Sequence, residues 1–169
     1  MRSFFVDRVK IGQHGWVTFV AMLINAWKWE GTGNAFILLD RRDWAVLPDA
    51  ATIAAMCDVA NGVGADGLIF FQPLNNATDA MPCSEWEMDY VNADGSRSFC
   101  GNGSRALFAF LRGQGWMPQS GGSLHACDGC HAVAWDEVHA EPGVELRPIA
   151  PPKAAAEGAT FVDTGSPHH

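Results

Sequence analysis

What the sequence lacks narrows its class before any motif is read. No run of eighteen apolar residues occurs in its 169, which excludes a membrane-crossing helix. No cluster of Lys or Arg is longer than two, and 11 basic side chains face 19 acidic ones, a net charge of −8. That balance argues against nucleic acid or an anionic membrane as partner and leaves a small polar or zwitterionic ligand. The cysteines are few and odd in number (Cys57, Cys83, Cys100, Cys127, Cys130), unlike the even set of a secreted disulfide scaffold, so reduced thiols in the cytoplasm are expected. Charge is not high enough, nor apolar content low enough, for a disordered chain: 48% of residues are hydrophobic and 18% charged. A single domain with a real core is the expectation for this length. Trp16 to Ala26, behind Arg2, Arg8 and Lys10, faintly resembles a signal peptide, but its cleavage context is poor and a strand-like pattern follows at once.

The pattern sharpens from Met22. Leu23–Trp29 and Phe36–Leu39 read as strands around the turn Gly31-Thr32-Gly33-Asn34. Pro48 and Asp49 cap an alanine-rich helix over Ala50–Ala60, with Ile53, Met56 and Ala60 inward and Asn61-Gly62 as its stop. Leu68–Phe71 is a third apolar run, Pro73–Pro82 a polar loop, and Trp86–Val91 alternates like a half-buried strand. Ser104–Leu111 reads as a helix. Strands follow near Leu124–Cys127, Cys130–Trp135 and Val144–Pro148, with a hairpin turn at Asp128-Gly129. Pro151–Gly158 reads as a connection and Thr160–Asp163 as a last strand. The expected class is α+β, rich in strand, with two helices of consequence.

Cys100-Gly101-Asn102-Gly103 carries the most chemistry. A cysteine where a strand turns into a helix sits at the positive end of the helix dipole, which should lower its pKa. The Gly101 and Asn102 amides could there receive a carboxylate. The plainer reading is a buried cysteine in a glycine-rich turn. Asn34 and Asn92, each beside a turn, offer amides that both donate and accept, although Asn is also a routine turn residue. Cys127-x-x-Cys130 with His125 and His131 has the spacing of half a zinc site, but no second such pair exists and the hairpin turn explains the segment without metal.

Five segments then match in order: Gly31-Thr32-Gly33-Asn34-Ala35-Phe36, Gly64-Ala65-Asp66-Gly67, Asn92-Ala93-Asp94-Gly95-Ser96, Cys100-Gly101-Asn102-Gly103-Ser104-Arg105 and Gly165-Ser166-Pro167-His168. Together they resemble the N-terminal half of diaminopimelate epimerase. The resemblance implies a lobe of antiparallel-rich sheet wrapped around a central helix, spanning 22–169, with 1–21 as an N-terminal extension or mis-called start. It implies cofactor-independent interconversion of LL- and meso-diaminopimelate, in lysine and peptidoglycan-precursor synthesis, by two opposed cysteines. Cys100 would be this lobe's acid/base, supported by His168. Asn34, Asn92, Gly101, Asn102 and Ser166 would bind substrate. No metal is implied.

Two positions depart from the family pattern. Ser166 stands where many members have Asn, and Ala35 replaces the usual Asp. The family's Glu-Arg pair and its second Gly-flanked cysteine do not occur in these 169 residues. A second lobe or a second copy of the chain is the expected partner, and the chain alone is expected to epimerise weakly or not at all. The alternatives are a related amino-acid racemase, and a non-catalytic half that binds an amino acid or pairs with a separate lobe.

Overall fold

A computed structural model describes residues 3–5, 25–74, 85–148, 150–154 and 158–162. Eight strands form one sheet in chain order: β1 (Ser3–Phe5), β2 (Asn25–Gly31), β3 (Asn34–Asp40), β4 (Gly67–Pro73), β5 (Trp86–Asn92), β6 (Gly121–Ala126), β7 (Gly129–Asp136) and β8 (Glu141–Val144). β3–β4 and β5–β6 pair in parallel, and all other neighbours pair antiparallel. Each parallel step needs a crossover, and each crossover carries a helix: α1 (Ala50–Cys57) before β4 and α2 (Gly101–Gly113) before β6.

β3 and β5 run in opposite directions while both crossovers advance the same way across the sheet. Crossovers of one hand must therefore place the helices on opposite faces. The two cores show that they do. On one face Ile37, Leu39, Leu68, Phe70 and Val91 pack on Ile53, Met56 and Cys57 of α1. On the other, Phe36, Leu38, Ile69, Phe71, Met88, Tyr90, Leu124 and Val133 pack on α2. Strands buried on both faces lose their alternation, which is why β3 and β4 read as continuous apolar runs.

Ala106, Leu107, Phe108, Phe110 and Leu111 of α2 are all buried, so this helix is covered on nearly every side. It touches β2 and β3 towards one end of the sheet and β6, β7 and β8 towards the other. The sheet is thus curled around α2, as the family resemblance implies. Arg105 strengthens the closure, its Nε donating to the Pro142 carbonyl at 2.6 Å.

Several boundaries differ from the sequence reading. α1 ends at Cys57, three residues early, because the Asp58 carboxylate takes the N–H groups of Ala60 and Asn61 and competes with the helix. Ile53 and Met56 are buried as expected and Cys57 joins them, whereas Ala60, the third residue expected inward, is exposed beyond the helix end. β8 ends at Val144, where a strand was expected to begin. The stretch expected as a plain connection contains β9 (Lys153–Ala154), which pairs with β10 (Thr160–Phe161).

Candidate active site

The β2–β3 turn, the starts of β3 and β4, the end of β5 and the first turn of α2 converge at one edge of the sheet. Ladder register brings them together, with Gly31 opposite Asn34, Phe36 opposite Gly67, and Gly67 opposite Asn92. Thr32 and Gly33 form the two-residue turn with φ of 54° and 86°. A glycine adopts that conformation freely, whereas the β-branched Thr32 is held there at a cost of about 1 kcal/mol.

A directional chain of hydrogen bonds fixes this edge. The Thr32 hydroxyl donates to Oδ1 of Asn102 at 3.1 Å. Asn102 Nδ2 donates to Oδ1 of Asn34 at 2.9 Å, and Asn34 Nδ2 donates to Oδ2 of Asp66 at 3.2 Å. The same Asp66 oxygen accepts the backbone N–H of Ala35 at 2.8 Å. Each amide thereby gains a fixed orientation while keeping a second N–H for a ligand. Asp66 belongs to the Gly64-Ala65-Asp66-Gly67 motif, which by itself assigns it no role. Its task is set by a contact 32 residues away, which local pattern does not record.

Cys100 is the N-cap of α2, with its carbonyl accepting the Ser104 N–H at 2.8 Å and its Sγ accepting the Gly103 N–H at 3.3 Å. A Cβ at Gly103 would lie 3.1 Å from the Met88 Cε and 3.2 Å from the Ile69 Cδ1, so a side chain there would have to push both tips back by a few tenths of an ångström. The thiol corrects one expectation. Burial pushes Cys100 above its ordinary value, and the opposing N–H groups of Gly103 and Asn102 are outweighed, while the Asp66 carboxylate adds to the rise. Desolvation of a thiolate against the core exceeds what two helix-end donors return. The cysteine therefore rests as a neutral thiol.

Cys100, Gly101 and Asn102 lie at the first turn of α2, and Asn34 is joined to them through its bond to Asn102. Asn92 stands at the same edge, but its amide is occupied in its own turn, donating to the Ser96 carbonyl and to the Ser96 and Ser98 hydroxyls. Ser166 and His168 lie outside the described residues. Cys127 is an exposed free thiol in the β6–β7 hairpin, where the two turn residues are Cys127 and Asp128, one position earlier than expected. Among the described residues, no group of three His, Cys, Asp or Glu side chains is placed to hold a metal. No helix there is long and apolar enough to cross a membrane. A shallow cleft lined by Arg41, Phe70, Gln72, Glu87 and Asp89 lies on the α1 face of the sheet, away from Cys100.

A family model described as diaminopimelate epimerase matches residues 26–141. The diaminopimelate epimerase of Mycobacterium tuberculosis H37Rv is 34% identical over 162 residues, covering 83% of this chain and 56% of that protein. That of Flavobacterium psychrophilum is 34% identical over 146 residues, covering 85% and 53%. The chain thus spans about half the length of the curated relatives it matches. Among solved structures, a phenazine biosynthesis protein of the PhzF family from Bacillus anthracis superposes with a TM-score of 0.51 at 18% identity, over 77% of this chain and 42% of that one. At that identity the likeness is one of fold.

Proposed function

Because the chain belongs to the diaminopimelate epimerase family, we propose that it is one lobe of a cofactor-independent epimerase acting on diaminopimelate, with Cys100 as that lobe's acid/base. The observation that carries the reading is Cys100 Sγ at the first turn of α2, beside the Thr32–Asn102–Asn34–Asp66 chain. An α-proton is weakly acidic, so its removal needs a base at one face and fixed donors for the charge that develops. The Cys100 thiolate would take the proton, leaving a carbanion stabilised by helix-end N–H groups and by the spare amide N–H groups of Asn34 and Asn102. Inversion then needs a proton from the opposite face, which a second lobe or a second copy would supply.

Incubation of the 169-residue chain with LL-diaminopimelate in D2O tests this. The expected result is slow deuterium exchange at the α-carbon without inversion, lost in Cys100→Ala. Rapid formation of the meso isomer would refute the one-faced reading, and exchange surviving in Cys100→Ala would refute the role of Cys100. One observation favours a second reading, a binding half that works only with a partner lobe: the half-buried Cys100 thiol is pushed up and is a poor base at neutral pH. In that case diaminopimelate binds, and exchange appears only when the partner is added.

A further inference from the structure

Tyr90 is the side chain at this edge that neither the motifs nor the hydrogen-bond chain uses. It lies in β5 opposite Ile69, only 8% exposed, with Phe36 edge-on at 5.9 Å and 78°. The ring does not stand straight over its ladder partner. A Cβ at Gly67 would meet Tyr90 Cε2 at 2.6 Å and its hydroxyl at 2.9 Å, so the side chain leans along β4 towards the strand's first residue. That residue follows Asp66 and pairs with Asn92, which carries the phenol to the edge where Cys100, Asn34 and Asn102 meet.

The hydroxyl finds no hydrogen-bond partner among the described residues, yet it is not one of the fully enclosed polar atoms left without one. Its ring is buried against Phe36, and its oxygen lies over Gly67, the residue that follows Asp66. A phenol placed so offers one directed O–H to whatever binds beside Cys100. Burial, and after it the charges of Cys100 and Asp66, keeps its proton on through the working pH range.

We propose that Tyr90 is a ligand-binding residue of this site, its hydroxyl donating a hydrogen bond to a carboxylate oxygen of the molecule held beside Cys100. The inference deepens the epimerase reading, since an amino-acid substrate brings such a carboxylate to the thiol, but its test does not depend on turnover. Iodoacetate and iodoacetamide alkylate a thiolate by the same displacement: the S–C bond forms, the C–I bond breaks and iodide leaves. They differ in that one carries a carboxylate and the other a neutral amide.

The ratio of their rates is measured at Cys100 in the whole chain by peptide mass spectrometry, with exposed Cys127 as internal reference. The expected ratio of iodoacetate to iodoacetamide rates is higher at Cys100 than at Cys127, despite the chain's negative charge. Tyr90→Phe, which keeps the ring, should lower the Cys100 ratio by roughly ten- to a hundredfold, the worth of one hydrogen bond to a charged group, and leave Cys127 unchanged. A Tyr90→Phe ratio equal to the parent's, or both reagents slowed in parallel, overturns the proposal and leaves Tyr90 a packing residue. So does a parent ratio at Cys100 no higher than at Cys127, which needs no variant. Protection of Cys100 from iodoacetamide by diaminopimelate reads the epimerase assignment separately. No protection together with a Tyr90-dependent ratio refutes that substrate and supports the carboxylate site.

Discussion

Replacing Gly67 with alanine asks whether the site depends on the close approach of β4 and β5. The new Cβ would lie 2.5 Å from the Val91 carbonyl oxygen and 2.6 Å from the Tyr90 ring. The carbonyl is backbone within the ladder and cannot swing aside, so either the β4–β5 pairing opens at Gly67–Asn92 or the phenol leaves its berth on Phe36. Overpacking of this kind typically costs about 1–3 kcal/mol, and partial exposure of an aromatic ring adds about 1–2 kcal/mol. A loss near 3 kcal/mol lowers Tm by roughly 6–12 °C for a domain of this size. Gly113→Ala is the control: it lies in α2, is exposed, and has nothing within 4 Å of a built Cβ. There alanine should stabilise by about 0.5–1 kcal/mol through helix propensity. Urea unfolding with unchanged m-values measures both. A Gly67→Ala loss below about 1 kcal/mol, or any loss from Gly113→Ala, would refute the packing argument.

The pH profile of Cys100 alkylation by iodoacetamide should have its midpoint above that of a free cysteine peptide. A raised pKa means that the thiolate forms only at higher pH, so the rate keeps climbing where the peptide has levelled off; a midpoint at or below the peptide's contradicts the burial argument. His131→Ala should cost about 2–4 kcal/mol. The His131 ring is buried, meets the Glu145 carbonyl at 2.9 Å and an Asp128 oxygen at 3.0 Å, and stacks on Phe99 at 4.1 Å. Phe99 precedes Cys100, so the same variant should also alter the Cys100 alkylation rate, and an unchanged rate would show that Phe99 does not support the cap.

The elements legible in the sequence were those whose burial is one-sided or complete over several residues. β3, β4, β5 and α2 follow from Phe36–Leu39, Leu68–Phe71, Trp86–Val91 and the Ser104–Leu111 segment, and the wrapped helix followed from the family resemblance. Misplaced ends arose where a side chain competes with the backbone, as Asp58 does at the end of α1. β9 lies among prolines and owes its pairing to β10, which no local pattern announces. At the site, Cys100 and both amides were legible as residue types. The roles of Thr32, Asp66 and Tyr90 were not, because each depends on register between strands or on a contact far along the chain. The sign of the Cys100 shift was missed for a related reason: the helix-end donors are visible in sequence, whereas the desolvation that outweighs them comes from packing.

Asp66 gives the sharpest handle on how that shift is built. Its carboxylate has two separable effects, orienting Asn34 and the Ala35 amide through one oxygen and opposing ionisation of Cys100 through its charge. Asp66→Asn retains a carbonyl oxygen that can accept both hydrogen bonds and removes only the charge. Asp66→Ala removes both. Asp66→Asn should therefore leave stability near the parent's and move the alkylation midpoint of Cys100 downward, because the thiolate no longer faces a neighbouring anion. Asp66→Ala should move the midpoint the same way, but should also release Asn34 and, through it, the Asn102 amide. The difference shows in the iodoacetate-to-iodoacetamide ratio, from which the thiolate fraction cancels, so that between these two variants it reads where the donors point. If Asp66→Asn leaves the midpoint in place, the carboxylate is screened from the sulfur and burial alone sets the thiol. If the two variants behave alike in the reagent ratio, the chain from Thr32 to Asp66 does not hold the amides, and the geometry assigned to this edge fails with it.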